Sequence, residues 1–377
     1  MRKPKRDRIK KAGSMDTTFF IVVLVLLTFG LVMLFSASYA YAYYRFDDSF
    51  HFIKKQAAFA VLGLAAMIVL SFVDYHIYKK LVWAIFAIAF AGLVIVLFMP
   101  ALNNAHRWIN LGPLGTLQPS EIMKFAIVVL FAHLISANYK RMGTFTYGVL
   151  PFMFFIGVVA VMMLLEPHLS GTVLIGSIGL VMMFVGGTKY RYFLVAVLLA
   201  IAGIVAIVAI KGIDYVSVRL QGWLDPFYDP SDETFQTVQS LLAIGSGGFM
   251  GLGLGNSRQK YLYLPEPQND FIFAIVCEEL GFIGATIVIL LFVLLVYRGF
   301  VIASKAPDKF GMMMAVGLTV QVGLQAMLNI AVVSNTIPNT GISLPFFSYG
   351  GSALMMQLAQ MGIILNISRQ CIFIEKN

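Results

Sequence analysis

The chain has 377 residues, of which 59% are hydrophobic and 12% are charged, and its mean hydropathy is +0.86. Because an ordinary soluble domain carries roughly a quarter charged residues, this composition excludes a water-soluble globular protein and indicates an integral membrane protein. The net charge of +9 does not require a nucleic-acid partner, since basic residues also set the orientation of membrane proteins. The two cysteines, Cys277 in an apolar segment and Cys371 near the C-terminus, provide no disulfide framework.

A helix that crosses about 30 Å of hydrocarbon needs about 20 mostly apolar residues. We therefore predict an all-α fold, a polytopic membrane protein of about ten transmembrane helices with one long extracellular loop. A single transmembrane domain is expected over 1–377, with a basic N-terminus at 1–17, the long loop at 211–270 and a tail at 369–377. The ten predicted segments are 18–42, 56–74, 81–101, 119–137, 146–165, 169–187, 190–210, 271–296, 310–332 and 352–368.

The distribution of basic residues predicts the orientation. Ten crossings place both termini on one side, and if that side is cytoplasmic the inner segments hold 18 of the 27 lysines and arginines. The apolar run from Phe19 to Phe35 is longer than the core of about 7–15 residues in a cleaved signal peptide, so we interpret the first segment as an uncleaved anchor.

The first outer loop, 102–118, leads into the fourth segment through HRWINLGPLGTLQPSEIMK. Pro119 suits the first turn of a helix, Ser120 is a candidate N-cap, and Glu121 lies at the positive end of the helix dipole. Glu121 is therefore explained either by the helix start alone or by a function. Lys124 lies one turn further in, where an ammonium is costly unless its stem reaches the surface or it meets an anion.

Two further outer loops are informative. The longest connection, 211–270, contains TFQTVQSLLAI at 234–244, which predicts an amphipathic surface helix against the membrane or the bundle. Its apolar face would hold Phe235, Val238, Leu241 and Leu242. In the loop at 333–351, Gly350 and Gly351 allow a close approach of the backbone, either to another helix or to a ligand.

Carboxylates begin and enter the eighth segment in YLPEPQNDFIFAIVCEELG, residues 263–281. Asp270 follows a proline turn and lies near the first helical turn, where an acid serves either as a cap or as a base. Together with outer cations, such a carboxylate suits a substrate that has a phosphate to be gripped and a hydroxyl to be deprotonated. Glu278 and Glu279 lie about two turns deeper, and we expect them to bond to neighbouring helices. The cations are Lys124, Arg219, Arg258 and Lys260.

Other kinds of site find little support. The five histidines are scattered without metal-ligand spacing. The stretch GLGLGN at 251–256 lacks the strand–loop–helix context of a nucleotide-binding fingerprint, and the sequence contains no Walker motif.

Three long motifs in the same order resemble the SEDS family, which includes FtsW, RodA and SpoVE. They are RWINLGPLGTLQPSEIMK, GLGLGNSRQKYLYLPEPQNDFIFAIVCEELGFIG and IPNTGISLPFFSYGGS. The resemblance extends from the first helix to about residue 368 and is stronger to FtsW and SpoVE than to RodA around 253–281.

The resemblance implies a peptidoglycan glycosyltransferase that polymerises lipid II at the outer face of the bacterial cytoplasmic membrane. Its implied partners are a class B penicillin-binding protein transpeptidase and proteins of the division or elongation complex. Asp270 matches the essential aspartate of the family and would be the general base, with Glu266 as the alternative. The implied substrate-binding residues are Trp108, Glu121, Lys124, Arg219 and Lys260, together with Arg258, which we also consider a simple turn residue. No cofactor is specified, although a divalent cation such as Mg²⁺ or Mn²⁺ would help the pyrophosphate to leave.

The sequence departs from the family in EPHLSGT at 166–172. Many members have Pro-Asp-x-Gly there, whereas this chain has His168 in place of the aspartate and an extra Ser170. A role for this short loop therefore does not carry over. Two other functions stay open: a flippase for lipid II, which needs a polar route through the bundle, and a division scaffold without catalytic activity.

Overall fold

The computed structural model describes residues 14–100, 107–110, 112, 115–194, 198, 220–229 and 234–371. Within these ranges the regular secondary structure is helical apart from one short hairpin, in which Ile109–Asn110 (β1) pairs with Thr116–Leu117 (β2). The α-helices are α1 (Thr17–Phe46), α2 (His51–Leu70), α3 (His76–Lys80), α4 (Val82–Val96), α5 (Pro119–Asn138), α6 (Phe145–Gly148), α7 (Leu150–Leu165), α8 (Leu169–Val185), α9 (Phe235–Gly247), α10 (Ile272–Lys305), α11 (Lys309–Val333) and α12 (Gly351–Gln370).

The predicted helical membrane architecture is confirmed. Among the described residues, six helical stretches are long and apolar enough to cross a membrane: α1, α2, α5 with the turn that follows it, α6 continued by α7, α10 and α11. Helices α4 and α8 are apolar but shorter, and α12 coincides with the tenth predicted segment. The seventh segment, 190–210, lies largely outside the described residues, so the count of ten and the division of the chain remain predictions.

Local chemistry sets several helix starts. Asp16 caps α1 by accepting from the N–H of Phe19 at 2.9 Å, and Asp308 caps α11 by accepting from the N–H of Phe310 at 2.8 Å. Helix α5 begins with Pro119 in its first turn, as predicted. The expectation that Ser120 caps this helix is wrong: Gln118 occupies the cap position, and the Ser120 hydroxyl has no hydrogen-bond partner among the described residues.

Helices α5 and α11 pack together in the centre of the bundle, where 72% and 67% of the residues in their most apolar 18-residue stretches are buried. Helix α12 packs along α2, where Gly362 makes a close approach necessary: a Cβ on this residue would lie 2.4 Å from the carbonyl oxygen of Met67. This contact brings the first turns of α2 and α12 to the same end of the bundle.

The connection from α9 to α10 folds back onto an interruption in α10. Gly281 has φ 64° and ψ −163°, and the helical hydrogen bonding is broken there. The N–H of Leu252 donates to the carbonyl of Glu278 at 3.0 Å, and the N–H of Phe282 donates to that of Gly248 at 2.9 Å. The predicted helix at 234–244 is therefore present as α9 and packs against α10, with Val238 buried and Leu242 exposed at the surface of the protein.

The connections between helices define two ends of the bundle. The β1–β2 hairpin, the segment before α10 and the segment 334–350 lie at one end, here called the loop end. The residues nearest the termini lie at the opposite end, where the N–H of Asp16 donates to the Ser368 hydroxyl at 3.1 Å.

Candidate functional site

A cavity of about 630 Å³ lies at the loop end of the bundle. Its walls come from the first two to three turns of α2, α5, α8 and α12, from Met163 of α7 and Gln325 of α11, and from the hairpin, the residues before α10 and the segments 341–343 and 349–350. Four of the residues predicted from the sequence line this one cavity: Trp108, Glu121, Lys124 and Asp270. The fold therefore brings the first outer motif next to the residue that begins the eighth segment.

Lys124 lies in the cavity wall one turn inside α5 and is 4% exposed. Its Nζ is 2.7 Å from Oε2 of Glu121 and 3.0 Å from Oε1 of Gln325 on α11. The sequence left two explanations open for this lysine. The structure supports the second: the ammonium meets an anion and does not extend to the surface. The same ion pair gives Glu121 a partner beyond the helix dipole.

Asp270 is partly buried in the wall of the same cavity and is not used as a helix cap. Phe271 occupies the cap position of α10, which has no side-chain cap among the described residues. The removal of water around the carboxyl group raises the pKa of Asp270 to about 6; its own backbone N–H opposes this shift, and the nearby Glu266 adds to it. The group is thus closer to neutral pH than an ordinary aspartate, as a general base requires.

Three further ionisable residues line the cavity although the sequence did not mark them as site residues: Lys55, Arg107 and His168. Lys55 lies one turn inside α2. Arg107 donates through Nε to the carbonyl of Glu166 at 3.5 Å and also donates to the carbonyl of Pro167, so it ties the hairpin to the start of α8. Its position next to Trp108, inside the same motif, was a signal that could have marked it.

The loop that departs from the family pattern also belongs to the cavity wall. His168 and Ser170 both line it. Burial lowers the pKa of His168 to about 3, and nearby Arg107 and Lys124 act in the same direction, so the imidazole is neutral. This loop therefore adds a neutral side chain where a carboxylate is common in the family.

Lys260 does not line the cavity formed by the described residues. It is fully buried, and its Nζ lies 2.8 Å from Oε1 of Glu279 and 2.6 Å from the carbonyl of Gly255. The Ser36 hydroxyl of α1 donates to the same carboxylate at 2.7 Å. The ion pair thus joins the long loop to α10, and the Ser36 bond joins α1 to the same carboxylate.

Glu278 also bonds within this region, where it accepts from the N–H of Arg258 at 2.9 Å. The prediction that Glu278 and Glu279 bond to neighbouring helices is confirmed only in part: Ser36 of α1 and Ser246 of α9 bond to them, but most of their partners lie in the loop before α10. The side chain of Arg258 is exposed, and the described lining of the cavity does not include it.

Of the two remaining predicted residues, Glu266 does not line the cavity formed by the described residues, and Arg219 is not described. Glu266 has φ 42°, accepts from Nδ2 of Asn269 at 2.7 Å and is not among the described residues of the wall. Arg219 lies outside the described residues. Gly350 and Gly351 do line the cavity, and Gly351 also packs tightly, since a Cβ on it would be 2.2 Å from Cδ2 of Phe59. Close packing against another helix is therefore confirmed for Gly351, and a close approach to a ligand stays a prediction.

These features define a class of protein: a polytopic helical membrane protein with a charged cavity at one end of the bundle. The chain belongs to the family whose sequence model, FTSW_RODA_SPOVE, is described as "Cell cycle protein" and matches residues 16–371. It is 43% identical over 364 residues to the stage V sporulation protein E of Bacillus subtilis, covering 95% of this chain and 98% of that protein. It is 38% identical over 364 residues to the "Probable peptidoglycan glycosyltransferase FtsW" of Geobacter sp. (strain M18), covering 96% of this chain and 98% of that protein.

Solved structures share the fold over nearly the whole chain. One is described as "Structural coordination of polymerization and crosslinking by a peptidoglycan synthase complex"; the matching chain has a TM-score of 0.79 and 26% identity, and the match covers 94% of this chain and 98% of that one. The rod shape determining protein RodA of Thermus thermophilus has a TM-score of 0.69 and 25% identity, with coverage of 94% and 97%.

Proposed function

We propose that this protein is a peptidoglycan glycosyltransferase that polymerises lipid II, with Asp270 as its general base. The activity agrees with the names of the FtsW relatives. The observation that carries the assignment of the base is that the Asp270 carboxylate does not cap a helix and faces the same cavity as the Lys124 ammonium.

In the proposed reaction, the 4-hydroxyl of the acceptor's GlcNAc attacks the anomeric carbon of the donor's MurNAc. A carbon–oxygen bond forms while the bond from that carbon to the pyrophosphate oxygen breaks. The hydroxyl proton passes to Asp270, and undecaprenyl pyrophosphate leaves with the electron pair of the broken bond. Inversion of the α-linked donor gives a β-1,4 linkage.

Cations in the cavity would stabilise the negative charge that develops on the leaving pyrophosphate. Of the residues predicted for this role, Lys124, Arg219 and Lys260, Lys124 lines the cavity; Lys55 and Arg107 are additional candidates because they line it too. Lys260 is held by Glu279 and contributes to the loop that precedes Asp270. Trp108 would position the sugars, and Glu121 would position Lys124.

A flippase is the main alternative, and it needs a polar route from one face of the membrane to the other. The described cavity residues lie in loops or in the halves of their helices that are nearer the loop end. Beyond the cavity, α11 continues toward the opposite end with buried apolar residues such as Phe310, Met314 and Leu318. A scaffold without catalytic activity would leave the charged cavity, and the Asp270 carboxyl group that lines it, without a use.

Purified protein should polymerise labelled lipid II without any other glycosyltransferase. Asp270→Asn keeps the size of the side chain but removes its basicity, and general-base catalysis contributes about 10²- to 10⁴-fold. We expect normal abundance and lipid binding with polymerisation nearly abolished. Asp225→Asn is the matched control, because Asp225 lies exposed in the same long loop and accepts from the N–H of Phe227, a bond that asparagine can also accept. Polymerisation by Asp270→Asn within about threefold of wild type would make Glu266 the next base to test.

The cellular setting follows from the same proposal. The loop end would face outward from the bacterial cytoplasmic membrane, with both termini in the cytoplasm and a class B penicillin-binding protein as the cross-linking partner.

Among the described residues, no group of three or more His, Cys, Asp and Glu residues is arranged to hold a metal ion. A divalent ion would thus be held mainly by the substrate's pyrophosphate, as Mg²⁺ often is, with one or two carboxylates of the protein.

A further inference from the structure

Helix α11 carries three carboxamide side chains, Gln321, Gln325 and Asn329, inside an apolar span. Their four-residue spacing places them along one face of the helix. They are 3%, 7% and 0% exposed, respectively. Because a buried carboxamide is costly unless it is hydrogen-bonded, the bonds that these groups make indicate why the helix contains them.

Asn329 joins two walls of the cavity. Its Nδ2 donates to the main-chain carbonyl of Asp270 at 2.6 Å and to that of Ile342, also at 2.6 Å. The carboxylate of Asp270 lies against the same segment, since a Cβ on Gly341 would be 3.5 Å from its Oδ2. One buried amide therefore fixes the backbone that carries the proposed base to the backbone that the base faces.

Gln325 makes the corresponding connection one turn earlier on α11. Its Nε2 donates to the carbonyl of Ser343 and to the hydroxyl of the same residue, both at 3.1 Å, while its Oε1 accepts from Nζ of Lys124. Four residues span about 6 Å along a helix. The helix thus holds the base-bearing segment and the cation at a separation set by one helical turn.

We propose that Asn329 is a positioning residue that holds Asp270 at its working place through the main chain, and that α11 sets the distance between Asp270 and Lys124. The inference rests on the proposed function of Asp270. Asn329 touches no reacting atom in this scheme. Its bond is to a carbonyl oxygen and not to the carboxylate, so it fixes where the base lies. A displacement of about 1 Å at a catalytic group can lower a rate about 100-fold.

The first test is Asn329→Leu, which keeps a similar size but removes both hydrogen-bond donors. We expect kcat for lipid II polymerisation to fall about 100-fold while KM changes less than about threefold. Gln321→Leu is the matched control on the same helix face: Gln321 donates to Oε1 of Gln360 at 2.9 Å and is not among the described residues that line the large cavity. It should keep kcat within about threefold of wild type. Equal losses in the two variants, or an unchanged kcat in Asn329→Leu, would overturn the inference.

A double-mutant cycle separates positioning from a general structural role. If Asn329 acts through Asp270, the variant Asp270→Asn/Asn329→Leu should be no slower than Asp270→Asn alone in single-turnover assays, because no base remains to be positioned. A further loss of about 100-fold would show that Asn329 acts independently of the base and would refute the proposal. Should Asn329→Leu fail to fold, Asn329→Asp, which has almost the same shape, replaces it in the cycle. If neither variant folds, Asn329 is an architectural residue and the inference is wrong.

The cycle also distinguishes failure of this inference from failure of the proposed function. If Asp270→Asn polymerises lipid II within about threefold of wild type, the assignment of the base is wrong, whatever Asn329→Leu does. If Asp270→Asn is inactive but Asn329→Leu is normal, only the positioning role is refuted.

Discussion

Replacement of Lys124 by methionine would test whether this lysine serves the ion pair or the substrate. The substitution keeps the apolar stem and removes the ammonium that lies 2.7 Å from Glu121 and 3.0 Å from Gln325. The two roles predict different losses. A structural role predicts a loss of stability, whereas a role in binding pyrophosphate predicts a loss of rate in protein that is still folded.

Both losses can be estimated from the geometry. The Glu121 side chain is 13% exposed, so removal of its partner leaves a nearly buried carboxylate, and breaking such a pair typically costs about 3–5 kcal/mol. The lower end of this range applies because the cavity admits water next to the pair. A charged hydrogen bond to a leaving pyrophosphate contributes about 1.5–3 kcal/mol, equivalent to a rate loss of about tenfold to 150-fold.

The double variant Lys124→Met/Glu121→Gln separates the loss of stability from the loss of rate, since it removes the unpaired carboxylate charge of Glu121 as well as the ammonium. We expect its thermal unfolding temperature to recover toward that of wild type, while polymerisation of lipid II per folded molecule stays about tenfold or more below wild type. The assay compares initial rates at equal amounts of folded protein in proteoliposomes. Recovery of the rate together with stability would refute the reasoning, because Lys124 would then be only the partner of Glu121.

Three further predictions follow from the charges. Because the pKa of Asp270 is raised to about 6 and only the ionised form is a base, polymerisation should fall about tenfold per pH unit below about 6; a rate that stays constant down to about pH 5 would contradict this. In intact cells without an outer membrane, an impermeant thiol reagent should label a cysteine at Ser231 but not one at Ser14, and the reverse pattern would contradict the proposed orientation. Lys260→Met should lower stability because it leaves Glu279 buried and unpaired, and Glu279→Gln should restore it; a normal unfolding temperature in the single variant would show that the pair is not needed.

The sequence predicted what depends on local patterns. The fourth segment was expected at 119–137 and α5 spans Pro119–Asn138; the ninth was expected at 310–332 and α11 spans Lys309–Val333. In both cases an apolar run follows a residue that suits a helix start. The cap of α5 could not be assigned in the same way, because Gln118, Pro119 and Ser120 are consecutive and the register of the first turn decides which residue lies at the cap.

Which residues line the cavity depends on how the helices pack, and a single sequence does not reveal this. Lys55 reaches the site because α2 packs closely along α12, and the close contact at Gly362 lies many residues away from the lysine. His168 reaches it because α8 begins at the loop end. The motif around Trp108 and the motif around Asp270 were each recognisable because the residues within each motif are close together in the chain. The roles of Gln325 and Asn329 appear only when α11 is seen between the two walls of the cavity.

Lys124 and Lys260 show why a list of outer cations did not define the site. Both lysines are buried, and both pair with a glutamate, at 2.7 Å and 2.8 Å. They differ in what lies beside the pair: the pair at Lys124 faces a cavity of about 630 Å³, while the pair at Lys260 is enclosed by α1, α10 and the loop before α10. An enclosed ion pair has no room for a pyrophosphate and instead holds the loop against the interruption in α10. A buried lysine in a membrane protein therefore indicates that an anion lies close to it. Whether a substrate anion can also reach the lysine depends on whether a cavity lies beside the ion pair.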